Sequence, residues 1–236
     1  MDTIFFKISV TSLVLALPLS AHAYDQWASS VVNFSTQYST TTWSAKQALK
    51  APDTTNYGDY NTAWTTSSAN AGAEYITLGY TTPVYATGVT VRETWGSGFV
   101  TGIDLVDTNN VTHSIWSGTD TSVAGQINDF KITWPRTSYL VKSVKVKINT
   151  ALNTGWEEID AVQLHGVTPF SGTLAPRLTH TATLVCKNLT TGITKTATIT
   201  GTGTTSPVAQ WSCDAAGLVI NKGDNVSVQI TGVINQ

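Results

Sequence analysis

Six aromatic residues stand among turn-forming neighbours: Trp43, Tyr57, Tyr60, Trp64, Trp95 and Trp156. An indole or phenol in such a place offers a flat apolar face with a polar tip, which suits the C–H face of a sugar ring. Trp95 is the most suggestive. Gly96-Ser97-Gly98 follows it and reads as an exposed turn tip, while Arg92 and Glu93 beside it can hydrogen-bond hydroxyls. Arg92, Glu93, Trp95, Trp156 and Tyr57 are therefore the candidate ligand-binding residues. Trp116 and Trp134 sit inside strand-like runs and are assigned to structure.

Catalytic chemistry has less to work with. Beyond His22 the histidines are His113, His165 and His180, without metal-pair spacing, and HExxH, GxSxG and Gly-rich phosphate loops are missing. The glutamates are Glu74, Glu93, Glu157 and Glu158. Glycoside hydrolysis needs two carboxyls facing across a cleft, one with a raised pKa. Glu93 and Glu158 are the pair a fold could bring together, and a secreted hydrolase is the weakest alternative. Cys186 and Cys213 are the only cysteines, and they lack the CxxC spacing or His neighbours of redox or zinc sites. A structural disulfide is expected.

The elements that must position these residues are strands. Of 236 residues, 41% are hydrophobic and 12% charged, about half the usual charged fraction. Thr makes up roughly one residue in six, which suits a pleated surface rather than a helical bundle. A net charge of −2 gives no polybasic footprint for nucleic acid or anionic lipid. Residues 1–23 read as an export signal: Lys7, an apolar run over 8–19, then Ala21-His22-Ala23 as the cleavage pattern. The run is too short to span a bilayer, and no later stretch is apolar enough.

Seven of the eight tryptophans lie between Trp27 and Trp156, and Thr168-Pro169-Phe170-Ser171-Gly172 punctuates the chain after them. The expected division is a first domain over 24–166, a linker over 167–175 and a second domain over 176–236. Strand-like runs in the first domain cover 31–36, 74–80, 88–95, 99–106, 111–116, 129–134, 141–148 and 159–165. In 142–148 the lysines alternate with apolar residues, the period of a half-buried strand. Residues 44–49 could make one helical turn. Runs over 178–187, 193–200, 208–213 and 225–233 suggest a small Ig-like sandwich stiffened by the disulfide. The expected fold class is all-β: an eight-stranded jelly roll, then a small disulfide-bonded β-sandwich.

Several ordered motifs add to this. They include Val32-Asn33-Phe34-Ser35-Thr36, Trp43-Ser44-Ala45-Lys46-Gln47-Ala48, Tyr57-Gly58-Asp59, Arg92-Glu93-Thr94-Trp95 with Gly98-Phe99, and Trp156-Glu157-Glu158-Ile159-Asp160. Across about residues 31–166 the chain resembles a discoidin-like branch of the galactose-binding-domain superfamily. Similar domains occur in bacterial secreted proteins, F-box leucine-rich-repeat proteins and pappalysin-type metalloproteases. The resemblance implies a jelly roll whose loops at one end bind glycans, lipid headgroups or proteins. It places Trp64 in the core. It also implies a structural calcium ion held by Asp53, Glu158 and Asp59, a hard-oxygen set. Lys50 stands where many relatives carry Gly.

The expectation is an exported, secreted or periplasmic, non-catalytic module that binds carbohydrate or mediates adhesion. The alternative is a protein-interaction or structural matrix component that contacts a secreted or cell-surface protein.

Overall fold

The computed structural model describes residues 13–20, 23–174, 181–200 and 209–232. Lys7, Ala21, His22 and His180 lie outside them. In chain order the strands are β1 (Leu13–Ser20), β2 (Ala23–Trp27), β3 (Ser30–Phe34), β4 (Ala73–Trp95), β5 (Val100–Asp107), β6 (Thr112–Ser117) and β7 (Asn128–Thr133). Then come β8 (Leu140–Asn149), β9 (Glu158–Val167), β10 (Ser171–Leu174), β11 (Ala182–Asn188), β12 (Thr194–Ile199), β13 (Ala209–Ser212) and β14 (Asn225–Gly232). Among the described residues a single 3-10 turn, Ala45–Ala48, interrupts the β-structure, and no helix is long and apolar enough to cross a membrane.

The chain is all-β and forms two compact units, one of them Ala23–Thr168. That unit is the jelly roll. Its pivot is β4, whose first half, Ala73–Gly79, lies between β3 and β8. Its second half, Tyr85–Trp95, lies along β9, with β7 on the other side over Gly88–Glu93. The register on β8 shifts between Gly79 and Val84, around Pro83, which has no N–H to give a ladder. One strand thus serves both layers, where the sequence suggested two separate strands and a turn. β2 pairs with β9 at the edge; its polar Asp25 and Gln26 gave no strand signal.

Alternation on β8 is as expected. Val144, Val146 and Ile148 are buried, Lys147 pairs with Asp104 at 2.7 Å, and Lys145 lies 3.8 Å over the Tyr75 ring. The core between the layers includes Ile76, Leu78, Val91, Phe99, Ile103, Leu105, Val144 and Leu164. Each such side chain contributes roughly 1.5–3 kcal/mol by leaving water.

The other unit contains β10–β14 with β1. β11 lies between β12 and β14, β1 pairs with the free side of β14, and β10 pairs with β13. The Cys186–Cys213 disulfide ties β11 to the residue after β13. The expected linker is shorter than 167–175. Val167 still belongs to β9, and from Phe170 onward the chain is bonded into the second unit. Phe170 N donates to Asp214 Oδ2 at 2.6 Å, and Cys213 N donates to Phe170 O at 3.0 Å.

Candidate functional site

The longest connection in the jelly roll runs from β3 to β4, and connections of this length are seldom structureless filler. Side chains with local hydrogen-bonding habits shape it. Ser39 Oγ accepts from Thr41 N and Thr42 N and donates to Thr42 O, and Gln37 Oε1 accepts from Ala45 N at 2.9 Å. Tertiary ties then pin it to β9. Trp64 and Ile159 exchange backbone hydrogen bonds of 2.8 and 3.0 Å, and the buried Trp64 indole donates to Thr36 O at 3.2 Å. Thr54 Oγ1 donates to Asp160 Oδ1 at 3.0 Å.

These ties place the start of β9 against the loop and enclose a cleft of about 140 Å³ lined by Tyr38, Trp43, Asp59, Thr65, Trp156 and Glu158. The Tyr38 ring meets Trp43 at 5.4 Å and 70°, and Trp156 at 5.4 Å and 86°. Both indoles meet the phenol edge to face, as aromatic pairs prefer, and Tyr38 is 54% exposed, so these walls stay open to solvent. Trp43 reaches its position at a cost. Its φ is +48°, a region where a bulky side chain is strained by about 1–3 kcal/mol and persists only when its surroundings over-determine it. Here Trp43 N donates to Asn61 O, Trp43 O accepts from Thr65 N, and the indole N–H is shared by Asp59 Oδ1 at 2.9 Å and Glu158 Oε1 at 3.1 Å. Thr65 is only 4% exposed, and its hydroxyl has no partner within the protein.

The electrostatics are acidic. Burial pushes the Glu158 carboxyl up to about 8, opposed by the hydrogen bond from Tyr60 N and reinforced by neighbouring Asp59. Thr94 Oγ1 also donates to Glu158 Oε2, at 3.5 Å. Buried Glu157 is likewise raised to about 8 by desolvation, and both its oxygens lack partners.

The structure separates the residues expected to act together. Arg92 leaves the sheet on the outer side and forms a bidentate pair with Asp129 at 2.6 and 2.9 Å. Glu93 leaves on the other side and is fully buried, so it cannot touch a ligand. It accepts from Gly98 N at 3.3 Å. Burial and neighbouring Asp120 raise its carboxyl to about 9. Trp95 packs on Tyr57, with ring centres 4.9 Å apart, rather than forming an exposed tip. Of the five, Trp156 alone lines the cleft, joined by Trp43 from the wider aromatic set. Tyr38 and Thr65 were missed. The only signal for Tyr38 was an aromatic inside a Ser/Thr-rich loop.

The implied calcium set does not assemble. Asp59 and Glu158 meet, but both share the Trp43 N–H, and Glu158 also takes donors from Tyr60 and Thr94. Asp53 lies instead beside Asp160, whose carboxyl burial raises to about 6. Oxygens turned toward N–H and O–H donors do not fit a cation that needs six to eight free oxygen ligands.

A second meeting of reactive types lies on the β4–β9–β2 face. Thr90 Oγ1 is 2.7 Å from His165 Nε2, and His165 Nδ1 is 2.9 Å from Asp25 Oδ1. Hydroxyl–imidazole–carboxylate connectivity is that of nucleophilic catalysis. Here Thr90 is buried and the row links three neighbouring strands.

The family model for the pappalysin-1 SD scarf domain, C-terminal, matches residues 19–171, well over half of the chain. The chain belongs to that family. A search of curated protein sequences found no match. Among solved structures, the chain is similar to one described as reduced XRCC1 bound to the DNA pol beta catalytic domain. That match has TM-score 0.48 and 15% identity, covering 61% of this chain and 99% of that one. It is also similar to a fucolectin from the serum of Morone saxatilis (striped bass), with TM-score 0.43 and 9% identity, covering 90% of this chain and 97% of that one.

Proposed function

We propose that the jelly roll is a non-catalytic binding module that takes a carbohydrate in the cleft between Tyr38, Trp43 and Trp156. One observation carries the reading: mutually inclined aromatic faces line a cleft whose buried Thr65 hydroxyl has no protein partner. Aromatic faces take up C–H surfaces, and a few fixed polar groups orient the hydroxyls. The strained backbone at Trp43 supports it, since a strain of this kind needs a compensating purpose or a tightly determined setting. The Cys186–Cys213 disulfide fits an oxidising compartment and thus an exported protein.

The test is a glycan array on the purified protein, followed by calorimetry on the hits with Trp43→Ala and Trp156→Ala. Retention should be lost in both variants while the circular dichroism of the sheet persists. Unchanged retention would move the ligand away from this cleft. A blank array with folded protein would favour contact with a secreted protein, which should weaken as salt rises.

A further inference from the structure

The cleft carries a charge that a neutral sugar leaves unanswered. Its described lining contains the exposed carboxylate Asp59, the buried Glu158 carboxyl that holds its proton up to about pH 8, and no Lys, Arg or His. They converge on one indole N–H, which supplies a single hydrogen to two acidic groups. A neutral ring settling over exposed Asp59 would strip water from its negative charge and return nothing for it. An ammonium group would return a counter-charge and N–H donors together. It would also meet aromatic faces, whose negative π-clouds attract cations. Thr65 Oγ1, buried and without a partner, is an independent sign that a polar ligand group completes the site.

We infer that the cleft selects a sugar bearing a free, protonated amine, with the ammonium at Asp59 and the ring on the aromatic walls. This inference rests on the carbohydrate reading of the same cleft. The ammonium accounts for the Asp59 carboxylate, the C–H face of the ring for Trp43 and Trp156, and one hydroxyl or N–H for Thr65.

The experiment compares glucosamine, glucose, N-acetylglucosamine and n-butylammonium by titration calorimetry and tryptophan fluorescence, on the full chain at mildly acidic pH. Glucosamine should bind about tenfold or more tightly than glucose, and acetylation should abolish the advantage because it removes the charge. Asp59→Asn should erode the preference for glucosamine over glucose. Asp59 is exposed, so its variant retains the fold. Equal binding of all three sugars would overturn the charge selection and leave the carbohydrate reading standing. Binding of butylammonium and glucosamine alike, with glucose and N-acetylglucosamine inert, would keep the cation and refute the sugar. Silence from all four probes would overturn both.

Discussion

Glu93→Gln should make the jelly roll more stable at neutral pH and flatten its dependence on pH. Glu93 is fully buried beside Asp120, and Gly98 N, Val100 N and Ser122 N serve three of the four carboxylate oxygens. The fourth, Glu93 Oε1, has no partner unless it carries a proton. Burial, then Asp120, raises that carboxyl from its ordinary 4.5 to about 9. Between those limits the folded state holds a proton that the unfolded chain has released, so stability falls as pH rises. The slope is about 1.4 kcal/mol per pH unit for one such proton, amounting to about 3 kcal/mol at neutrality as an upper bound. Gln cannot titrate, and its amide N–H can replace the acid proton toward Asp120. Urea unfolding of wild type and variant should be followed by tryptophan fluorescence, which seven of the eight tryptophans tie to this part of the chain. Measured between about pH 5 and 8, the variant's slope should be lower by one proton. The variant keeps a residual slope of the same sign from Glu157 and Glu158. Identical slopes, or a variant destabilised at every pH, would show that Glu93 is ionised in the fold and refute the reasoning.

Opening the disulfide with Cys186→Ser and Cys213→Ser should cost the second unit about 3–4 kcal/mol by chain entropy, given a sequence separation of 27. The tryptophan-reported transition of the jelly roll should stay where it was. Gly96 has φ +60°, and a Cβ there would press on the backbone of Trp156 and Glu157. Gly96→Ala should therefore weaken ligand binding by displacing the Trp156 wall, read as a rise in Kd larger than any change at a distant glycine such as Gly125. Chelator should leave glycan retention and thermal stability unchanged, because hydrogen-bond donors already occupy Glu158 and Asp53 stands apart; a clear loss on chelation would restore the calcium set.

Much of the framework was legible because it depends on local periodicity. The Lys/Val alternation of β8 reports a half-buried strand whatever its neighbours are, and the runs at 100–107, 158–167 and 225–232 lie close to where alternation put them. The cysteine pair was legible by elimination, there being no third partner. β2 and the continuity of β4 were not. An edge strand needs little apolar character, and Thr81-Thr82-Pro83 reads locally as a turn although both flanks are held by ladders. The site was legible only in kind. Loop aromatics and a late glutamate were visible, but Gly96-Ser97-Gly98 drew attention to Trp95, whereas Tyr57 covers that ring and the cleft opens elsewhere.

The sequence by itself thus determined an all-β chain and the types of group available for binding. Those properties follow from composition and from spacing over a few residues. Tertiary structure alone decided which of those groups meet. Tyr38, Trp43 and Asp59 face Trp156 and Glu158 because Trp64 and Ile159 exchange backbone hydrogen bonds across the fold, bringing together segments about a hundred residues apart. The same closure removed water from Glu158 and Glu93, which is why carboxylates ordinary in sequence became acids that hold their protons.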